Sequence, residues 1–351
     1  IPYLTIISAA AIPAILYYLG CFVQVHCYSK KIGLRGFHPD EIPKLGAVLK
    51  VGYLYFTPLV LLVVMLMMGY TPSYSAVAVI FVTTAVSWTR RETMLGPRAL
   101  YQIIETAIPR IAPLALACAA AGLVIGGIMT TGLGGKFMSL IFLLSRGLLV
   151  PTLLVTMVVC IILGMGMPVP SAYVLTAVLA APALIKLGVL PLAAHLFIVY
   201  FAVASAITPP VAVAAYAASA ISGGDPIRIA LRALRLGVGA FLVPFLFALD
   251  PVFLLQGGWG EIIVAGVSGA IGISMIGVGI EGYLKDHLAW FERILFVFGG
   301  LVSIYPGIYS DIAGFFSLIA VLVIYQVRRQ GKQELTFGFL SGKGIRKLFQ
   351  R

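Results

Sequence analysis

Two short stretches interrupt long apolar segments of this sequence with residues that break helices. One reads Gly164-Met-Gly-Met-Pro-Val-Pro-Ser171, the other Ser205-Ala-Ile-Thr-Pro-Pro210. Proline has no N–H, so the carbonyl four residues earlier loses its helical partner. Pro168 and Pro170 release the carbonyls of Gly164 and Gly166, and Pro209 and Pro210 release those of Ser205 and Ala206. Clustered oxygens of this kind suit a small hard cation such as Na⁺. Beyond each break a helix begins again. Thr208 reads as an N-cap, with Pro209 and Pro210 in the first turn where proline is tolerated. Helix starts present free N–H groups and a positive partial charge, which suit an anion. The chemistry expected is therefore binding of a cation beside an anion, and the competing reading is a pair of proline kinks in ordinary packed helices.

The composition says which elements must hold these stretches. The chain has 351 residues, 61% of them hydrophobic and 10% charged, with a mean hydropathy of +1.08. A soluble domain of this size does not read this way, and the fold class expected is an all-α polytopic membrane protein. Backbone broken at membrane depth survives only where protein or a water-filled cavity covers it. Broken helices of this kind mark the binding sites of secondary transporters.

Apolar runs fall at 3–25, 51–69, 74–88, 111–131, 148–163, 171–187, 192–222, 229–249, 261–280, 294–309 and 312–327. A straight span needs about 20 residues. The runs 148–163 and 171–187 reach only about 24–26 Å each at 1.5 Å per residue. They are read as a re-entrant hairpin over 148–187 with its tip at 164–170, two short crossings being the alternative. The run 192–222 is read as one broken span.

The formal net charge is +12. The basic residues gather at 30–50, at 90–110, at Arg228, Arg232 and Arg235, and in the tail from Arg328 onward, which places these segments inside. The turns at 70–73, 132–147, 188–191, 250–260 and 306–311 then lie outside, with Lys136, Arg146 and Lys186 as mild exceptions. Residues 89–110 look amphipathic and are read as an interfacial helix or a solvated loop helix. The basic tail 328–351 is expected on anionic headgroups or disordered.

Four regions result: membrane helices over 1–110, a repeat over 111–250 that holds the hairpin and the broken helix, further membrane helices over 251–327, and the tail. Ile1 already stands in an apolar run, with no initiator Met and no signal peptide, so the chain reads as a C-terminal fragment. The four cysteines and the scattered histidines lack metal-site spacing, although His195 lies near a membrane segment and draws attention for that reason. An intramembrane enzyme would need facing catalytic groups at membrane depth, where ionisable residues are nearly absent. A channel would need a through-pore, usually built by symmetric subunits.

The stretches Ile162-Leu-Gly-Met-Gly-Met-Pro-Val-Pro-Ser-Ala-Tyr173 and Ala206-Ile-Thr-Pro-Pro-Val-Ala-Val-Ala-Ala-Tyr216 resemble the large membrane subunit of the tripartite ATP-independent periplasmic (TRAP) transporters. Ile1-Pro-Tyr-Leu-Thr5, Ala11-Ile-Pro-Ala-Ile-Leu-Tyr-Tyr18 and Ile221-Ser-Gly-Gly-Asp-Pro226 add to the likeness, which is nearest to fused permeases that work with TAXI-type binding proteins. The resemblance implies two inverted repeats and an elevator motion. It implies Na⁺ as the coupling ion and uptake of an organic anion, often a carboxylate, delivered by a periplasmic binding protein to the bacterial inner membrane. By motif position Gly164, Met165, Gly166, Thr208 and Pro209 belong to a sodium site. Pro168, Ser171, Tyr173 and Pro210 face the substrate cavity. The first hairpin of the family is expected to precede Ile1, and a fragment without it is not expected to transport.

Overall fold

The computed structural model describes the backbone of residues 1–305 and 307–340, and side chains there except at Pro39, Val51, Ile308 and 331–340. Among the described residues the chain is helical, and its only strand-like pairing is an isolated bridge between Tyr283 and His287. The helices in order are α1 (Tyr3–Ala9), α2 (Ala11–Lys31), α3 (Leu45–Gly52), α4 (Thr57–Met67), α5 (Pro72–Ser87), α6 (Pro97–Thr131), α7 (Leu133–Ser145) and α8 (Leu149–Gly164). Then follow α9 (Val169–Lys186), α10 (Pro191–Ala204), α11 (Val213–Ser222), α12 (Pro226–Leu236), α13 (Val238–Leu249), α14 (Trp259–Glu281), α15 (Trp290–Ile304) and α16 (Ile308–Leu340). Among the described residues, five segments are long and apolar enough to cross a membrane: Ala11–Lys31, Pro97–Thr131, Val169–Lys186, Trp259–Glu281 and Tyr309–Gln330. The α12–α13 pair, bent by 41° at Gly237, adds a sixth if taken as one span.

The helix boundaries follow local chemistry. Thr71 caps α5 by accepting from the Tyr74 N–H, and Asp225 caps α12 by accepting from the Arg228 N–H at 2.8 Å; each is followed by proline at the first helical position. Glu261 and Glu292 reach back to the N–H groups of Gly258 and Ala289 at the starts of α14 and α15.

The chain forms two bodies. The first comprises Ile1–Ala11 and Arg35–Ala206. Its centre is α9, which touches α6, α7, α8 and α10. Ala172, Ala180, Ala181 and Ala183 are buried along α9, and small residues let helices approach closely in a membrane protein. On α10, Phe197, Ile198 and Phe201 fill the space beside it, with the Phe197 and Phe201 rings 4.7 Å apart.

The second body comprises Ile12–Leu34 and Ile207–Arg351. Helices α14, α15 and α16 pack as a three-helix group, and Met275, Val278, Phe296, Val321 and Tyr325 share a core with Cys27 of α2. The charges of this body collect where α2 and α14 end and α15 begins. Arg328 donates to the buried Glu292 at 2.6 Å, and Arg329 pairs with Asp286 at 2.9 Å.

Four expectations change. Residues 97–110 are not a separate interfacial helix; α6 runs through Pro109 and Pro113 as one helix of 35 residues. The 132–147 turn is largely α7, because Gly132 (φ 67°) ends α6 and starts α7, so the chain changes helix at a single residue. The tail is helical as far as Leu340, with Arg328 and Arg329 already tied to Glu292 and Asp286; residues 341–351 lie outside the described residues. The run 229–249 is broken at Gly237, a bend that a plain apolar run did not announce.

Candidate functional site: the hairpin tip and the break after α10

Helices α8 and α9 lie side by side, joined by residues 165–168, so the chain reverses at the predicted tip. Helix α8, with 16 residues, is shorter than a membrane span. The tip turns through Gly166, whose φ of 75° lies in the region that favours glycine. Pro168 precedes the first turn of α9, and its carbonyl accepts the Ala172 N–H at 3.0 Å.

The break after α10 is a short 3₁₀ turn, Ser205–Ile207. Within the first body it packs directly on the tip. A Cβ placed on Gly164 would stand 2.6 Å from Ser205 Oγ and 3.0 Å from Ser205 Cβ. Glycine is required here by close approach, and Ser205 is the residue that approaches. The two interruptions predicted from sequence are thus in contact.

The oxygen inventory is more modest than the sequence suggested. The Gly164 carbonyl is not orphaned: it accepts the Met167 N–H at 3.3 Å, since a tight turn replaces the helical bond that Pro168 removes. A carbonyl has two lone pairs, so one remains for another partner. Ser205 donates its hydroxyl to the Ala202 carbonyl at 2.7 Å, which leaves the oxygen free to accept. The residues on this face therefore fit a cation that takes carbonyl and hydroxyl oxygens. Met165 and Ala206 are half-buried beside the junction, and Gly166 is exposed.

Thr208, Pro209 and Pro210 belong to the second body. Thr208 is not an N-cap. Helix α11 begins five residues later at Val213, preceded by Ala212 with φ 39°. The Pro209–Pro210 bond is cis, and the Thr208 carbonyl accepts the Ala212 N–H at 3.1 Å, so these residues form a turn outside the helix.

The other predicted residues separate into two groups. Ser171 is buried and donates to Cys118 Sγ at 3.5 Å, against α6. Tyr173 lines a cavity of about 280 Å³ together with Ile6, Leu192, His195, Leu196 and Val199. Its hydroxyl lies 3.0 Å from His195 Nδ1. This pair gives an apolar cavity its polar feature. His195 was visible in the sequence as an ionisable residue in an apolar run, but nothing there paired it with Tyr173, which lies on another helix.

An all-helical chain with several lipid-length spans, and a hairpin whose unwound tip meets a second helix break, has the architecture of a membrane permease. Residues 1–261 match the family described as "Tripartite ATP-independent periplasmic transporter, DctM component". The chain belongs to this family: it is a multi-pass transporter permease of the inner membrane and not an enzyme. No curated protein and no solved structure matches it.

Proposed function

We propose that the protein is the permease subunit of a sodium-coupled secondary transporter that imports an organic anion, most simply a carboxylate, delivered by a periplasmic TAXI-type binding protein. The observation that carries the proposal is the contact of Gly164 with Ser205, because it juxtaposes two backbone interruptions within one body. Na⁺ is held by oxygens of Gly164, Met165, Gly166, Ser205 and Ala206. Thr208 and Pro209 follow directly in the chain and join this set by motif position. Bound Na⁺ supplies positive charge and fixes the tip.

The substrate sits near the start of α9, toward Pro168, Ser171 and Tyr173, with Pro210 assigned by motif. The N-terminal dipole of α9 favours its negative charge. The hairpin re-enters the membrane and moves with its transport body as an elevator, the 111–250 segment serving as one of two inverted repeats.

The test is uptake by the full-length permease in proteoliposomes with its binding protein. Transport is expected with an inward Na⁺ gradient and not with K⁺ or choline. Equal rates in all three would remove sodium from the account, and Thr208→Val with unaltered sodium dependence would remove Thr208 from the site.

A further inference from the structure

The second body carries a feature that transport chemistry does not use. Helix α2 ends at Lys31 and helix α14 ends at Glu281, and the two ends meet: Lys31 Nζ donates to the Glu281 carbonyl at 2.7 Å. Arg235, in the last turn of α12, sets its Nε 3.1 Å from Glu281 Oε1 and donates through an Nη to the Ile280 carbonyl at 2.9 Å. Arg293, in the first turn of α15, donates to the Gly279 and Ile280 carbonyls at 3.0 and 2.8 Å. Cations at a helix C-terminus are favourable, and three of them bond the last carbonyls of α14, whose one carboxylate, Glu281, pairs with Arg235. The local excess is two positive charges, counting Lys31, Arg235 and Arg293 against Glu281.

The guanidiniums keep donors in reserve. Arginine has five N–H groups, and the bonds to protein oxygens leave donors on both Arg235 and Arg293. Both side chains are exposed. Both also line one groove of about 630 Å³, whose remaining wall is apolar and includes Trp290, Ile294, Val297 and Phe298. The groove therefore has a cationic end at the level where helices begin and end, and an apolar length running along α15. Trp290, 75% exposed, stands at the cationic end, and tryptophan favours the membrane interface.

We infer that this groove binds an anionic phospholipid, its phosphate between Arg235 and Arg293 and one acyl chain along Ile294, Val297 and Phe298. Charge complementarity selects the occupant: a zwitterionic lipid leaves the excess of two positive charges uncompensated, and an anionic lipid offsets part of it. Basic pockets between helices at the cytoplasmic level are sites for such headgroups. Lys31 and Arg235 lie in segments that the positive-charge bias puts inside, and Arg293 bonds the end of α14 beside them.

The experiment uses the purified chain in detergent, titrated with phosphatidylglycerol, phosphatidylcholine or inorganic phosphate. Bound lipid is counted by native mass spectrometry and thermal unfolding is followed in parallel. Phosphatidylglycerol is expected to be retained and to raise the unfolding temperature. Phosphatidylcholine is expected to bind several-fold more weakly, at about fivefold for each cation engaged. Inorganic phosphate is expected to give no stabilisation, because it lacks the acyl chain.

Arg293→Gln leaves the Arg235–Glu281 pair in place and is expected to remove most of the preference, while Arg293→Lys keeps part of it. Phe298→Asn, away from the charges, is expected to weaken retention of both lipids. Equal binding of the two lipids, or an unchanged preference in Arg293→Gln that unfolds like the parent in phosphatidylcholine, would overturn the inference. Stabilisation by inorganic phosphate alone would also overturn it. None of these outcomes bears on sodium-driven uptake.

Discussion

A methyl group added to Gly164 would meet Ser205 Oγ at 2.6 Å, and neither partner has room to withdraw, because both residues are buried. Over-packing of this kind costs about 1–3 kcal/mol. Gly164→Ala is therefore expected to lower stability by that amount in thermal unfolding and to depress uptake, because the tip is pushed off the break. Ser205→Gly in the same chain removes the obstructing Cβ and hydroxyl and is expected to restore much of the stability. A double variant no better than Gly164→Ala alone would mean that the contact does not set the tip. Sequence reading singled out Gly164 and Ser205 for their carbonyls. The structure shows that their side-chain positions matter as much, a relation visible only once α8 and α10 are neighbours.

At the scale of helices, α14 crosses α15 with their backbones in close approach. A Cβ on Gly272 would meet the Gly300 carbonyl at 2.7 Å, and one on Gly300 would meet the Gly272 carbonyl at 2.6 Å. In lipid such close backbone approach replaces the hydrophobic drive that water supplies elsewhere. Gly300→Leu is expected to separate the helices and cost about 1–3 kcal/mol or more, measured as a lowered unfolding temperature. Gly266→Leu, also on α14 but at a position where a Cβ meets nothing within 4 Å, is expected to be near neutral. Equal effects would show that the crossing is not glycine-limited.

The elements themselves were legible to different degrees. The hairpin and the break at 205–210 could be read because Gly and Pro remove identifiable hydrogen bonds. Helix α7 could not, since its short run from Phe137 to Leu144 follows glycines that look like a loop, yet Gly132 caps the helix and Gly134 and Gly135 lie within it. Nor did the prolines at 109 and 113 stop α6. The N-cap role of Thr208 failed for the opposite reason: its neighbours suit a helix start, but Ala212 at positive φ takes that position.

For the whole molecule, composition was enough to specify a multi-pass helical protein, and the two motifs were enough to point at its family. What composition could not foresee is long-range pairing. The ion pairs of Arg235 with Glu281 and of Arg328 with Glu292 join residues distant in sequence, and the mixed-charge 281–293 segment holds the carboxylates that these arginines meet. Removing Arg328 strands the fully buried Glu292, and the loss of one partner of a buried pair costs about 3–5 kcal/mol. Arg328→Met is expected to be strongly destabilising by thermal unfolding, and a neutral result would argue that Glu292 is held by the Ala289 N–H alone.

The most direct test of sodium binding at the junction of tip and break needs no substrate. Purified protein is unfolded thermally in NaCl and in choline chloride at matched ionic strength. At Na⁺ about tenfold above its dissociation constant, linkage predicts about 1.4 kcal/mol of added stability, absent with choline and reduced in Ser205→Ala and Thr208→Val. Identical unfolding in the two salts, at Na⁺ concentrations up to those that drive uptake, would contradict the account.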